Sequence, residues 1–155
     1  MRAVVQRVSE ASVSIESNVT GKIGKGLVIF IAFSPSDNDD IMKWMCHKLV
    51  NLRVFPDDEG KMNRSLLDTD GGILIISNFT LYGDARKGFR PSFVKAAAPL
   101  IAEPLYDSMV RFLTENNPVQ VASGEFGAMM DISLVNDGPV TIIIEKEQDN
   151  NLEKS

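Results

Sequence analysis

The chain has 155 residues, 44% of them apolar, which is the length of one compact domain and enough for one sizeable core. A net charge of −5 excludes a protein that coats nucleic acid through bulk electrostatics, although a local basic patch stays open. No apolar run nears the roughly 18 residues of a membrane span, and "MRAVVQRVSEASV" alternates rather than forming a signal peptide, so a soluble, cytoplasmic protein is expected.

In chain order, Val4, Gln6 and Val8 alternate with Val5 and Arg7, and Ala11, Val13 and Ile15 with Ser12, Ser14 and Glu16, as half-buried strands do. "KGLVIFIAF" at 25–33 is a continuous β-branched and aromatic run, the pattern of a strand covered on both faces. The period then changes. After the capping residues of "SPSDNDD", Ile41, Met45, Leu49 and Leu52 recur at three and four residues and define a helix face. "PDDEGK" is a turn, and "GGILIIS" at 71–77 is a central strand. A second helix is expected from Pro99 to Asn116, with Leu105, Met109, Phe112 and Leu113 on one face and Pro104 near its first turn. Strands follow around Val119–Ala122, Ala128–Val135 and Val140–Glu145, with "NDGP" turning the last pair. About seven strands and two helices predict an α/β single domain over residues 1–145, built as a curved sheet or two sheets with the helices on one side rather than as a βαβ array. Residues 146–155 are expected to form an acidic, frayed tail.

Common chemistries find little footing. His47 is the single histidine, with no CxxC or HxxxH spacing, so no metal and no cofactor are expected. A serine or cysteine triad lacks a base other than His47, which sits mid-helix. "GKIGKG" lacks phosphate-loop spacing and leads into a strand, and "DDEG" lacks the alternating ligands of a calcium loop. Cys46 reads as a buried thiol. Met129 and Met130 either fill the core or line an apolar pocket.

The segment "SNFTLYGDARKGFRPSF" at 77–93 carries hydroxyls, an amide and cations where a buried strand should simply turn. Alone, it reads as a strand end followed by a basic turn. Together with "MRAVVQRVSEASV" and "FGAMMDISLVNDGPVT", in that order and spacing, it resembles the D-aminoacyl-tRNA deacylases (D-tyrosyl-tRNA deacylases) over residues 1–145. The resemblance implies a layered β/β/α fold and a homodimer that hydrolyses the ester between a D-amino acid, or glycine, and the terminal ribose of tRNA. It implies that Gly138-Pro139, held cis, enters the partner's active site as a chiral selector, with Arg7 nearby. Carbonyls presented without a side chain on Gly138 leave no room for an L side chain, so selection works by rejection.

By the same resemblance Thr80 and Phe79 belong to the catalytic centre, and Ser77, Asn78, Phe126 and Met130 to the substrate pocket. Arg86, Lys87, Arg90 and Lys95 would hold tRNA. Thr80 is the nucleophile by position, yet no second residue claims the task of base, so help from the substrate's 2′-hydroxyl is favoured, with main-chain N–H groups around Phe79 and Thr80 as the oxyanion site. Two positions depart from the family's commonest motif. Asn78 stands in place of Gln and Phe89 in place of Arg, which shortens one hydrogen-bonding arm and removes one phosphate contact. Two other functions stay in view: a deacylase of L-alanine mischarged on tRNA, from which "SNFTL" and "NDGPVT" point away, and a non-catalytic RNA-binding module.

Overall fold

The structure, a computed structural model, describes residues 1–148. Eight strands and two α-helices appear among them, in the order β1 (Arg2–Ile15), β2 (Asn18–Ile23), β3 (Gly26–Ala32), α1 (Asp39–Asn51), β4 (Phe55–Pro56), β5 (Met62–Arg64), β6 (Gly72–Ser77), α2 (Pro99–Asn116), β7 (Gln120–Ser123) and β8 (Asp131–Glu145). One six-stranded sheet runs β2-β1-β3-β6-β7, with β8 also paired to β1, and β4-β5 form a separate hairpin.

The double burial of β3 and β6 follows from their sequence. Leu27, Ile29, Ile31, Ile73 and Ile75 face a core shared with both helices. Their neighbours Val28, Leu74 and Ile76 face a second core, closed by Val8, Ala11, Val13 and Ile23, with Ile132 and Leu134 packed on it. That is a strand layer, a central strand layer and a helix layer, as the α/β expectation required. Strand β1 serves both cores. Ala3 and Val5 point to the first, Val8, Ala11 and Val13 to the second, and the change of phase falls where the register slips between Gln6 and Glu10.

The helices lie on one side, but as crossovers. Strands β3 and β6 pair in parallel, as do β6 and β7, so α1 and α2 each link two parallel strands. The expectation set against βαβ units therefore needs correcting: parallel neighbours require a crossover, and two helices suffice for two. Gly26 and Gly72 are partners in the β3-β6 ladder, and a Cβ on Gly26 would stand 1.9 Å from the Gly72 carbonyl oxygen, so only glycine fits there.

Helix α1 is capped by Asn38, whose Oδ1 accepts from the Ile41 amide at 3.0 Å. Helix α2 begins at Pro99, where a missing N–H is harmless. Pro104 lies in the second turn rather than the first, and the carbonyl it cannot bond belongs to Leu100, whose side chain is exposed. His47 is on the exposed side of α1, and Cys46 is buried beside Met42.

Three expectations about the chain's end change. The two last strands are one, because β8 runs unbroken from Asp131 to Glu145 and "NDGP" does not reverse it. Met129 and Met130 lie in a loop ahead of β8, not within a strand. Lys146 is not frayed: its amide donates to the Met1 carbonyl at 3.0 Å and its carbonyl accepts from the Met1 amino group at 2.8 Å. Residues 149–155 of the expected tail lie outside the described residues.

Candidate active site

At the carboxyl end of the central strands, β6 runs out at Ser77 and the chain tightens into a 3-10 turn over Phe79–Tyr82. Asn78 anchors this turn to β3, its amide donating to the Ile31 carbonyl at 2.8 Å. Beneath it opens a cleft of about 770 Å³. Its walls include Ser77, Asn78, Phe79 and Thr80 from the β6 side, Phe93, Ala96 and Ala97 from the segment before α2, and Phe126, Met129 and Met130 from the loop before β8. The size is that of a site for a nucleoside-sized ligand.

Ser77, Asn78, Phe79, Thr80, Phe126 and Met130 thus come together from segments up to 53 positions apart in the sequence. Met129 lines the same cleft as Met130, the pocket-lining alternative of the two read for that pair, whereas Phe33 and Phe93 were missed, as was the small-residue wall of Ala96, Ala97 and Ala102. The run "KAAAP" was the available signal, since three alanines ahead of a helix-starting proline leave space where larger side chains would fill it.

The cleft's chemistry lies in what lines it. None of its lining residues carries an ionisable side chain. The Thr80 hydroxyl donates to the Asn78 Oδ1, an amide oxygen that cannot take the proton at neutral pH. Asn78 therefore orients Thr80 without activating it. Phe79 packs edge-on against Phe93 with ring centroids 5.3 Å apart, which closes one end of the rim. Behind the opposite wall, the buried Tyr106 hydroxyl lies 3.0 Å from the Ile75 carbonyl and 2.9 Å from that of Gly124, tying β6 and β7 to α2. Burial pushes the Tyr106 phenol up to about 12, so it stays protonated as a donor.

The remaining sequence candidates lie apart from this cleft. Asp137, Gly138, Pro139 and Val140 bulge out of β8 opposite Arg7 alone, since Gln6 pairs with Thr141 and Val8 with Asn136. The Gly138-Pro139 peptide is cis, and both residues are exposed. Arg7 fastens the bulge, donating from Nε to the Asp137 carbonyl at 3.1 Å and from an η nitrogen to the Val54 carbonyl at 2.6 Å. Asn136 completes the clasp by donating to the carbonyls of Arg7 and Val140. Gly138 and Pro139 do not line the cleft of their own chain.

Of the four cations, Arg86 is engaged already. Its guanidinium grips the Asp84 carboxylate at 2.6 to 3.1 Å, and that contact holds Asp84 well below the usual carboxylate range. Lys87, Arg90 and Lys95 are exposed. Among the described residues no cluster of three or more His, Cys, Asp or Glu side chains could hold a metal ion, and no helix is long and apolar enough to cross a membrane.

Comparison with known proteins decides the family. Residues 4–145 match the model of the D-Tyr-tRNA(Tyr) deacylases. The chain belongs to that family. An aminoacyl-tRNA deacylase is a carboxylic ester hydrolase, so family membership makes this chain an enzyme of that class. A D-aminoacyl-tRNA deacylase from Petrotoga mobilis is 51% identical over 148 residues, covering 96% of this chain and 99% of the relative. One from Limosilactobacillus reuteri is 50% identical over 146 residues, covering 94% and 100%. Among solved structures, a c-Myc DNA unwinding element binding protein superposes with a TM-score of 0.88 at 37% identity, over 96% of this chain and all of that one. A probable eukaryotic D-amino acid tRNA deacylase gives 0.77 at 21% identity, over 92% and 97%, which bears on the fold alone.

Proposed function

We propose that this chain hydrolyses the ester joining a D-amino acid, or glycine, to the terminal ribose of tRNA, as a homodimer in which Gly138-Pro139 of one subunit completes the cleft of the other. The observation that carries the mechanism is the cleft without an ionisable side chain. An ester needs an activated nucleophile, and here no lining side chain can take a proton. The substrate's own 2′-hydroxyl, beside the scissile ester, is the group left to guide water. The protein contributes position and a place for the developing oxyanion. Phe79 and Thr80 open the 3-10 turn, where amides have no acceptor within the turn, and these N–H groups would receive the charge.

Chiral selection rests on the exposed bulge. Gly138 sits at a backbone φ of +153°, and an added Cβ would meet the Val140 nitrogen at 2.2 Å, so this position admits glycine alone. A main chain bare of side chains can close on a substrate α-carbon and bar an L side chain while passing hydrogen. Because the bulge is remote from its own cleft, such closure needs a second copy.

The test compares D-tyrosyl-tRNA with L-tyrosyl-tRNA, using wild type and Gly138→Ala, together with a D-ester on a 2′-deoxy terminal adenosine. Loss of only the D-ester by wild type, blurred selection in the variant and survival of the 2′-deoxy ester are expected. Equal inertness towards both esters with tRNA still bound would make the chain an RNA-binding module. Hydrolysis of the 2′-deoxy ester at the normal rate would remove the 2′-hydroxyl from the mechanism. Sedimentation should give twice the 17.1 kDa chain mass.

A further inference from the structure

One aromatic ring in this molecule packs on nothing. Phe89 is 107% exposed, as open as in an extended peptide, and no ring contact engages it among the described residues. Its loop is nonetheless built to hold a shape. The Asp84 and Ser92 main chains exchange two hydrogen bonds, at 2.8 and 2.9 Å, and the Asp84 carboxylate clamps both the amide and the guanidinium of Arg86. Gly88, at a φ of +74°, turns the tip. A held loop that shows a bare ring forfeits what burial would bring.

The loop's base meets the cleft. Phe93, one residue past the bridge, packs on Phe79 at the rim beside Thr80. Phe89 stands three residues beyond that bridge, a reach of about 10 Å at full extension. Stacked nucleotides in a strand rise about 3.4 Å each, so two or three of them span that distance. A strand whose terminal adenosine fills the cleft would carry its next unpaired bases past the ring.

We propose that Phe89 is a stacking platform for an unpaired base near the 3′ end of the RNA substrate, with Lys87 and Arg90 meeting the flanking phosphates. The proposal rests on the deacylase reading above and adds how the strand is held. Residues 84–95 place four cations against one carboxylate in a chain of net charge −5, so the positive charge is concentrated where the ring stands. The ring's neighbours in the chain are Lys87, Gly88, Arg90 and Pro91, so it stands among cations rather than within an apolar run, a poor match for a partner protein's apolar groove. A base offers a π face and a phosphate on either side, which matches ring and cations together.

The experiment uses an oligonucleotide ending in the tRNA 3′ sequence, with 2-aminopurine replacing each unpaired base in turn, titrated with wild type, Phe89→Ala and Phe89→Trp. Expected are quenching by wild type, its loss with about 10-fold weaker binding in the alanine variant, and recovery in the tryptophan variant. In parallel, Phe89→Ala should raise KM for D-tyrosyl-tRNA about 10-fold with kcat unchanged, and leave hydrolysis of D-tyrosyl-adenosine, which lacks the upstream bases, as it was. Quenching and KM indifferent to Phe89, or equal slowing on both substrates, would overturn the proposal. Ester hydrolysis without Phe89 dependence defeats the stacking alone. Phe89-dependent quenching in a protein that cleaves no ester defeats the deacylase reading alone.

Discussion

At the scale of single residues, the bond from Thr80 to Asn78 decides what Thr80 can do. Its hydroxyl proton is committed to an amide, so Thr80 offers oriented lone pairs rather than an alkoxide. Thr80→Val should therefore lower kcat about 10-fold, the scale of one lost hydrogen bond, while removal of a true nucleophile costs on the order of 10⁴-fold or more. Single-turnover hydrolysis of D-tyrosyl-tRNA separates the two. With no ionisable side chain in the cleft, kcat should also climb steadily from pH 5 to about 6.5, below the usual α-amino range of about 7.7–8.0, without the break of a catalytic His or carboxylate. A plateau in that window would reveal a base. The pairing itself was illegible beforehand, because "SNFT" as an extended strand end would set the side chains of Asn78 and Thr80 on one face but far from a hydrogen bond, and only the 3-10 turn closes them. Arg86 is the opposite case. Its partner Asp84 stands two positions away in the sequence, so this pairing was open to a reading of local charges.

Among the elements, β8 shows a local signal losing to a distant one. "NDGP" has turn chemistry at every position, yet β1 pairs with the chain both before and after it, so the ladder carries the strand through and the four residues Asp137 to Val140 bulge instead. The periodic elements were readable because one side of each is buried: α1 and α2 sit where the apolar spacing put them, and β3 and β6 where continuous apolar runs did. What periodicity could not show was Tyr106. It lies on the buried face of α2 beside Leu105 and Met109, but its hydroxyl bridges the ends of β6 and β7 that carry Ser77 and Phe126 to the cleft. Tyr106→Phe keeps the ring and removes the single O–H that lies within reach of the Ile75 and Gly124 carbonyls, while the Ile75 carbonyl still accepts from the Gly124 amide. A loss of about 1–2 kcal/mol is expected from urea unfolding. If KM for the ester also rises, the bridge positions the cleft walls; unchanged kinetics with lowered stability would confine Tyr106 to the core.

For the molecule as a whole, two cores on either face of one central sheet leave its few titratable core groups no escape to water. Cys46 is buried in the helix-side core, and desolvation pushes its thiol from 9.0 up to about 12. Tyr106 in the same core and the half-buried Tyr82 are pushed from 10.0 to about 12, each mainly by burial. Below their unfolded-state values all three are neutral in both states and cost nothing. As pH rises past 9 the unfolded chain ionises Cys46 while the folded chain cannot, so the free energy of unfolding falls until the folded value near 12 is passed. The two tyrosines join above 10. The urea midpoint should therefore fall from about pH 9, with Cys46 contributing about 1 kcal/mol of loss by pH 10. Cys46→Val keeps an apolar side chain in the core and removes the thiol, so its decline should begin nearer pH 10, where only the tyrosines remain. If the variant declines from the same pH as wild type, ionisation of Cys46 is not what opens the helix-side core.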